Sequence, residues 1–277
     1  MNPDAGGDSS WALVDSVNVS EKAFNEDAWG LRGSTFWVID GATPLSGAPD
    51  ANKATHDYVE GLSERLWSAS VRHQEPREIL RLAVASMPSH LLGGHSAAVA
   101  IVCGDGDGIR YAILGDCTVV VATDGGVEAV TDARVGASEG EARAEFQRQT
   151  AAGLTSSEAF TRITPLLAEQ RQKWRNVPGG YWVVIDDASQ VADEAACGRV
   201  DGAGAGLLAT DGFARVDALP DGPDMAEVIT ACPSLTAVAR RMRAWERFAS
   251  PAGNLPFWPQ HDDATAVLVG QEGSRRG

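Results

Sequence analysis

The chain has 277 residues, 44% of them hydrophobic and 22% charged, with a formal net charge of -15 and a pI of about 4.7. Such a length suits one large domain or two small ones, with enough apolar residues for a sizeable core. The negative balance argues against nucleic acid and anionic membrane surfaces as partners, since both repel it over long range; a phosphorylated substrate stays open, because a bound metal reverses the local field.

The first ten residues are polar and predict a flexible lead. Segments 11–18, 28–31 and 35–40 read as strands. Helical spacing follows over 51–71, with Tyr58, Leu62, Leu66 and Ala69 on one face. A second helix is predicted over 76–87, with Pro76 at its start and Ile79, Leu82 and Ala83 turned inward. Segments 96–103 and 109–114 predict a hairpin around the turn at 104–108. Segments 119–123 and 127–130 flank Asp124-Gly125-Gly126. Segments 138–151 and 156–174 read as helices, 181–185 as a strand, and Ala203-Gly204-Ala205-Gly206 as a loop. A strand over 207–209, helices over 225–231 and 234–248, and a strand over 264–269 complete the chain before a flexible tail at 271–277. Strands arrive in hairpins and helices in pairs, which predicts an α+β fold of antiparallel sheets with helices on their outer faces. No linker divides residues 11–270, which are expected to form one domain.

Cys103, Cys117, Cys197 and Cys232 form no C-x-x-C pair and sit among apolar or small neighbours. They read as reduced thiols of a cytoplasmic protein. The lead has no apolar core of the kind a secretory signal needs, and no run is long enough to span a membrane.

Chemistry-bearing residues stand at the ends of the apolar runs. Phe36-Trp37-Val38-Ile39 leads to Asp40-Gly41, Tyr111-Ala112-Ile113-Leu114 to Gly115-Asp116, and Leu207-Leu208-Ala209-Thr210 to Asp211-Gly212. Asp262-Asp263 opens the run Ala264-Thr265-Ala266-Val267-Leu268-Val269, and Asn25-Glu26-Asp27 precedes the first run. Asp-Gly is foremost a turn signal, and Asp105-Gly106, Asp107-Gly108, Asp124-Gly125, Asp201-Gly202 and Asp221-Gly222 read as turns in polar or glycine-rich surroundings. Asp40, Asp116, Asp211 and Asp262 differ because each borders a buried strand. Carboxylates converging at a sheet rim repel one another unless a cation sits between them, and hard divalent cations prefer such oxygen donors.

The order of Asn25-Glu26-Asp27-Ala28, Val38-Ile39-Asp40-Gly41, Gly94-His95-Ser96-Ala97, Gly115-Asp116-Cys117, Ala209-Thr210-Asp211-Gly212 and Asp262-Asp263-Ala264-Thr265 resembles the type 2C metal-dependent serine/threonine protein phosphatases. Asn-Glu-Asp and Gly179-Gly180-Tyr181-Trp182 resemble its bacterial members in particular. The resemblance implies a four-layer α-β-β-α sandwich and two ions, Mn2+ or Mg2+, with a third possible. It implies that Asp40 bridges the two ions. The Gly41 carbonyl and a water held by Glu26 complete one ion, and Asp211 and Asp262 hold the other. Asp27 orients water, and Asp116 joins Asp211 at the third position. The implied reaction is phosphate monoester hydrolysis, foremost of phosphoserine or phosphothreonine on a protein, by a hydroxide that the ions share and activate.

Departures from the family pattern bear on the substrate. The family's phosphate-gripping arginine is Lys22 here, which keeps the charge and loses the bidentate fork. Ala42 stands where many relatives carry a histidine, and His261 is a remote substitute. Cys117 is rejected as a nucleophile, because a thiol beside a carboxylate has a raised pKa. The flap region 132–175 begins Asp132-Ala133-Arg134 in place of Asp-His. Two competing readings follow: a phosphatase of a small phosphorylated metabolite, and a catalytically weak relative that acts as a binding module.

Overall fold

A computed structural model describes residues 10–45, 50–185, 190–231, 234–249 and 262–271. The expected flexible ends, apart from Ser10 and Gln271, lie outside the described residues, as do Cys232 and His261. Two antiparallel sheets carry the fold. One runs β1 (Trp11–Val19), β11 (Ala264–Gln271), β10 (Ala203–Ala209), β6 (Thr118–Thr123), β7 (Gly126–Thr131). The other runs β2 (Asp27–Arg32), β3 (Thr35–Ala42), β4 (Ser96–Asp105), β5 (Gly108–Leu114), β9 (Ala196–Asp201), and the short β8 (Val184–Ile185) pairs with β4.

Strand alternation builds the layers. On β3, Phe36 and Val38 face the first sheet, where they meet Val119, Val121, Leu208, Val267 and Val269. Trp37 and Ile39 face the other way, onto Tyr58, Leu62 and Leu66 of α1 (Ala51–Ala69) and Ile79, Leu80 and Ala83 of α2 (Pro76–Ala85). On β11, Ala266 and Leu268 likewise turn outward, onto Val228 of α7 (Met225–Ala231) and Met242 of α8 (Leu235–Ala249). Runs that are apolar on both parities can only be satisfied by cover on both faces. The result is the expected order of helices, sheet, sheet, helices. Leu62 is fully buried, so its truncation to alanine costs about 2–5 kcal/mol.

A helical hairpin stands beside these layers. Its helices, α4 (Gly140–Ala151) and α5 (Ser156–Trp174), share a small core of Ala142, Phe146, Ala159, Ile163 and Leu167, and Leu45 from the segment after β3 packs on it. Thr155 and Glu158 start α5 with a reciprocal capping box, each side chain accepting the other's backbone N–H.

Several local expectations are corrected. The strand expected over 181–185 is reduced to Val184–Ile185, because Tyr181 donates its N–H back to the Trp174 carbonyl and forms a lone bridge with Arg175. The helix expected over 138–151 starts two residues later, as α4, and a short helix not foreseen, α3 (Arg134–Ser138), precedes it with Glu139 between them. The loop expected at Ala203-Gly204-Ala205-Gly206 is the first half of β10, where Gly206 sits opposite Val121 and Val269. Small residues fit a central strand clasped on both sides, and tertiary context overrides their low strand propensity. Neither β9 nor α6 (Asp211–Ala214) is foreseen in the sequence.

Candidate metal centre

Antiparallel pairing brings one set of strand ends to one end of the sandwich. Asp27 opens β2 and Asp40 lies near the end of β3, and the register sets them directly opposite each other. Asp116 follows β5, Asp211 opens α6 straight after β10, and Asp262 stands two residues before β11. A groove of about 1120 Å3 is lined there by Lys22, Glu26, Asp40, Gly41, Asp116, Asp211 and Asp262, among others. Every residue the sequence singled out for the site is therefore on that groove except Asp27, which is buried next to Asp40.

Hydrogen bonds hold these groups in place. The Thr210 hydroxyl donates to Asp27 Oδ2 at 2.8 Å, while Thr210 N–H donates to the Thr265 carbonyl at 3.0 Å and Thr265 N–H to Thr210 Oγ1 at 3.0 Å. The β10–β11 junction thus fixes an acid from β2. Gly41 N–H donates to the Glu26 carbonyl at 2.9 Å, and Asp211 N–H approaches Asp40 Oδ2 at 3.4 Å. A Cβ on Gly212 would lie 1.8 Å from the Asp263 carbonyl oxygen. The glycine after Asp211 therefore serves the close approach of α6 to β11, not a turn with positive φ.

The electrostatics follow from this crowding. Burial, then the charge of Asp211, Asp27 and Asp116, pushes the Asp40 carboxyl well above the usual range. Burial and Asp263 do the same to Asp27. Burial, Asp211 and Glu139 raise Asp116 to about 7, and burial with Asp262 raises Asp211. Among the described residues, no lysine or arginine comes within ion-pair distance of Asp27, Asp40, Asp116 or Asp211. The Cys117 thiol is fully buried and pushed well above its ordinary value by burial and by Asp40 and Asp116, which bears out its rejection as a nucleophile.

No protein-family model matches the chain, and no curated protein matches it in sequence. Its structure does have neighbours. The photosystem II phosphatase PBCP superposes with a TM-score of 0.58 at 16% identity, over 94% of this chain and 98% of that one. The PPM Ser-Thr phosphatase MsPP from Mycobacterium smegmatis, solved with cacodylate, gives 0.53 at 18% identity, over 94% and 99%. The catalytic domain of the serine threonine protein phosphatase PstP, solved with two manganese ions, gives 0.52 at 15% identity, over 95% and 98%. The fold is that of the type 2C phosphatases.

Within this type 2C fold, the donors fit a hard cation by their chemistry. They are oxygen ligands at a rim, mutually repelling and short of positive charge. Among the described residues no three acidic, histidine or cysteine side chains yet close on one point. Two basic side chains engage part of the set. Lys22 Nζ lies 2.7 Å from Glu26 Oε2, 3.2 Å from Asp262 Oδ1 and 3.2 Å from Asp263 Oδ2. Burial opposes its charge, yet the pull of Asp262, Asp263 and Glu26 outweighs that and holds the ammonium above the ordinary lysine range. Arg215 Nη2 pairs with Asp262 Oδ2 at 3.1 Å, so each oxygen of Asp262 faces a cation.

Sequence reasoning missed several residues here. Asp263 accepts from Glu26 N–H at 2.7 Å and from the Ser20 hydroxyl, so the second acid of the pair anchors the first motif. Arg215 comes one turn after Asp211, a spacing that would have flagged it. Glu246 and Arg243 of α8 back Arg215 from the core, and a charged residue in an amphipathic helix gives no such signal. Ala42 offers no proton, and His95 is buried with Nδ1 3.0 Å from Thr55 Oγ1. Among the described residues no helix is long and apolar enough to cross a membrane.

Proposed function

We propose that the chain is a metal-dependent phosphatase that hydrolyses phosphoserine or phosphothreonine on proteins. The observation that carries it is the crowded set Asp27, Asp40, Asp116 and Asp211, the first buried and the others half-buried on the groove, drawn from four separate segments and left without an ion-pair partner among the described residues. A binding module has no use for such a cluster, because crowded and partly desolvated like charges cost stability. The type 2C fold and the manganese ions of PstP support the same reading.

In this reading Asp40, Asp211 and Asp262, with the Gly41 carbonyl and Glu26, would hold two ions, Asp40 being shared between them. Asp116 and Asp211 would hold a third. Bound Mn2+ or Mg2+ activates water toward phosphorus and offsets charge on the phosphoryl oxygens. Asp27, fixed by Thr210, orients water. Glu26 is held for its task by Lys22 and by the Thr43 hydroxyl. Lys22 enters as the counter-cation of Glu26, Asp262 and Asp263, since its charge is already shared among the three.

The test is turnover of an aryl phosphate with manganese, with magnesium and with excess chelator, followed by competition between phosphopeptides and phosphorylated metabolites. Metal-dependent turnover with preference for phosphopeptides is expected. Preference for a metabolite moves the substrate to the small-molecule class. Absence of turnover with either metal overturns the enzyme reading.

A further inference from the structure

The proposed phosphatase needs a group to grip the anionic part of its substrate, and the following inference rests on that reading. Lys22 is committed to three carboxylates. The arginines on the groove are Arg143, Arg171, Arg175 and Arg215. Arg171 is paired with Glu139 at 2.8 Å, and Arg215 with Asp262 and Glu246. Arg143 is exposed and has a partner of its own. Arg175 is half-buried, and among the described residues its guanidinium has neither an ion pair nor a hydrogen bond. A guanidinium on the wall of an acid-floored groove, with no carboxylate of its own, is free to pair with an incoming anion.

The backbone around Arg175 is built to hold it. Its N–H caps α5 by donating to the Arg171 carbonyl at 3.0 Å. Asn176, at φ 54°, donates its N–H to the Tyr181 carbonyl at 2.7 Å. The Asn176 side chain also clasps Val183, donating to its carbonyl at 3.0 Å and accepting its N–H at 2.9 Å. Tyr181 N–H returns to the Trp174 carbonyl at 3.0 Å, and a Cβ on Gly180 would lie 1.9 Å from that oxygen. The loop is thus closed by its own hydrogen bonds, which lowers the entropy lost when Arg175 takes a ligand. Burial pushes the Tyr181 phenol to about 12, so it stays neutral and does not compete as an anion.

We infer that Arg175 is the substrate-binding guanidinium of this groove, and that it pairs with an anionic oxygen of the phosphoprotein. That oxygen belongs either to the phosphoryl group or to an acidic side chain next to the phosphorylated residue.

The test uses the full chain loaded with manganese. Inorganic phosphate binding is followed by calorimetry, and KM is measured for phosphopeptides with acidic and with neutral flanks. Arg175→Ala is expected to weaken phosphate about tenfold or more if the phosphoryl is gripped. If a flanking acid is gripped, phosphate affinity holds and the preference for acidic flanks disappears. Arg175→Lys recovers part of either effect, because charge remains without the fork. Asn176→Ala, which loosens the loop, reproduces a weaker form. In both Arg175 variants manganese affinity and melting temperature are expected to match the unmodified protein. Unchanged phosphate affinity together with unchanged flank preference in Arg175→Ala overturns the assignment. A wild-type chain without metal-dependent turnover sinks the phosphatase reading instead, and the phosphate titration then still decides whether Arg175 binds an anion.

Discussion

Asp27 and Asp40 stand directly across the β2–β3 pair from each other, on strands that join through a tight turn. Like charges opposite one another destabilise an antiparallel pair, and here Asp27 is buried and Asp40 half-buried. Burial, then Asp211 and Asp27, raise the Asp40 carboxyl, while burial and the charges of Asp263 and Asp262 raise Asp27. A cation held by Asp40 would ease the crowding around it, which the register of this hairpin helps to create.

Asp40→Asn separates the two consequences. It removes the acid common to both proposed ion positions, so metal-dependent turnover is expected to fall at least about a hundredfold, or about 3 kcal/mol of transition-state stabilisation. The same change removes one of the opposed charges. In chelator the variant should therefore melt higher than the parent. Full turnover, or a lower melting temperature in chelator, contradicts the scheme.

The pH dependence of the metal-free protein has a definite sign. The folded-state pKa values of Asp27, Asp40, Asp116 and Asp211 lie above the ordinary aspartate value of 3.8, that of Asp116 at about 7. The folded chain therefore binds more protons than the unfolded chain between those values, and stability falls as pH rises through that window. Melting temperature in chelator is expected to decline from about pH 5 to about pH 7.5. Manganese should restore more at the upper end, because it no longer displaces protons. A flat or rising profile in chelator counts against the cluster.

Much of this was legible before the structure. Spacing alone placed Tyr58, Leu62 and Leu66 on the buried face of α1, and the apolar runs ending in Asp40, Asp116 and Asp211 marked the rim. What stayed hidden depended on contacts across the chain. Lys22 and Asp262 are 240 positions apart, and no local pattern reveals their ion pair. The small residues of Ala203-Gly204-Ala205-Gly206 carry no periodicity, so a central strand looked like a loop. Arg175 sits at a helix end that reads as ordinary solvated surface until the loop to Tyr181 is seen to close behind it.

Lys22 is expected to govern metal affinity more than substrate affinity. Its side chain is 28% exposed and bridges three acids. Lys22→Ala removes a competing cation, so manganese should bind more tightly, while the chelator-treated protein should melt lower. KM for a phosphopeptide should change less than about threefold. A large rise in KM with unchanged manganese affinity returns Lys22 to the phosphate grip that its sequence position suggested.

The last prediction concerns the charges behind Asp262. Glu246 is fully buried between Arg215, at 3.4 Å, and Arg243, at 2.5 Å, and Arg243 also donates to the Asp262 carbonyl. The ring ties α8 to Asp262, two residues before β11. Removing Glu246 takes the carboxylate from buried Arg243 and leaves Arg215 leaning on Asp262, so Glu246→Ala is expected to cost about 3–5 kcal/mol in urea unfolding. Replacing Arg243 and Glu246 together by methionine exchanges an ion pair for apolar volume and should cost less than that single change. In both variants the charge of Arg215 is less offset, so Asp262 is drawn toward it and manganese should bind more weakly. A double variant less stable than Glu246→Ala, or one that keeps wild-type manganese affinity, shows that the ring does not control Asp262.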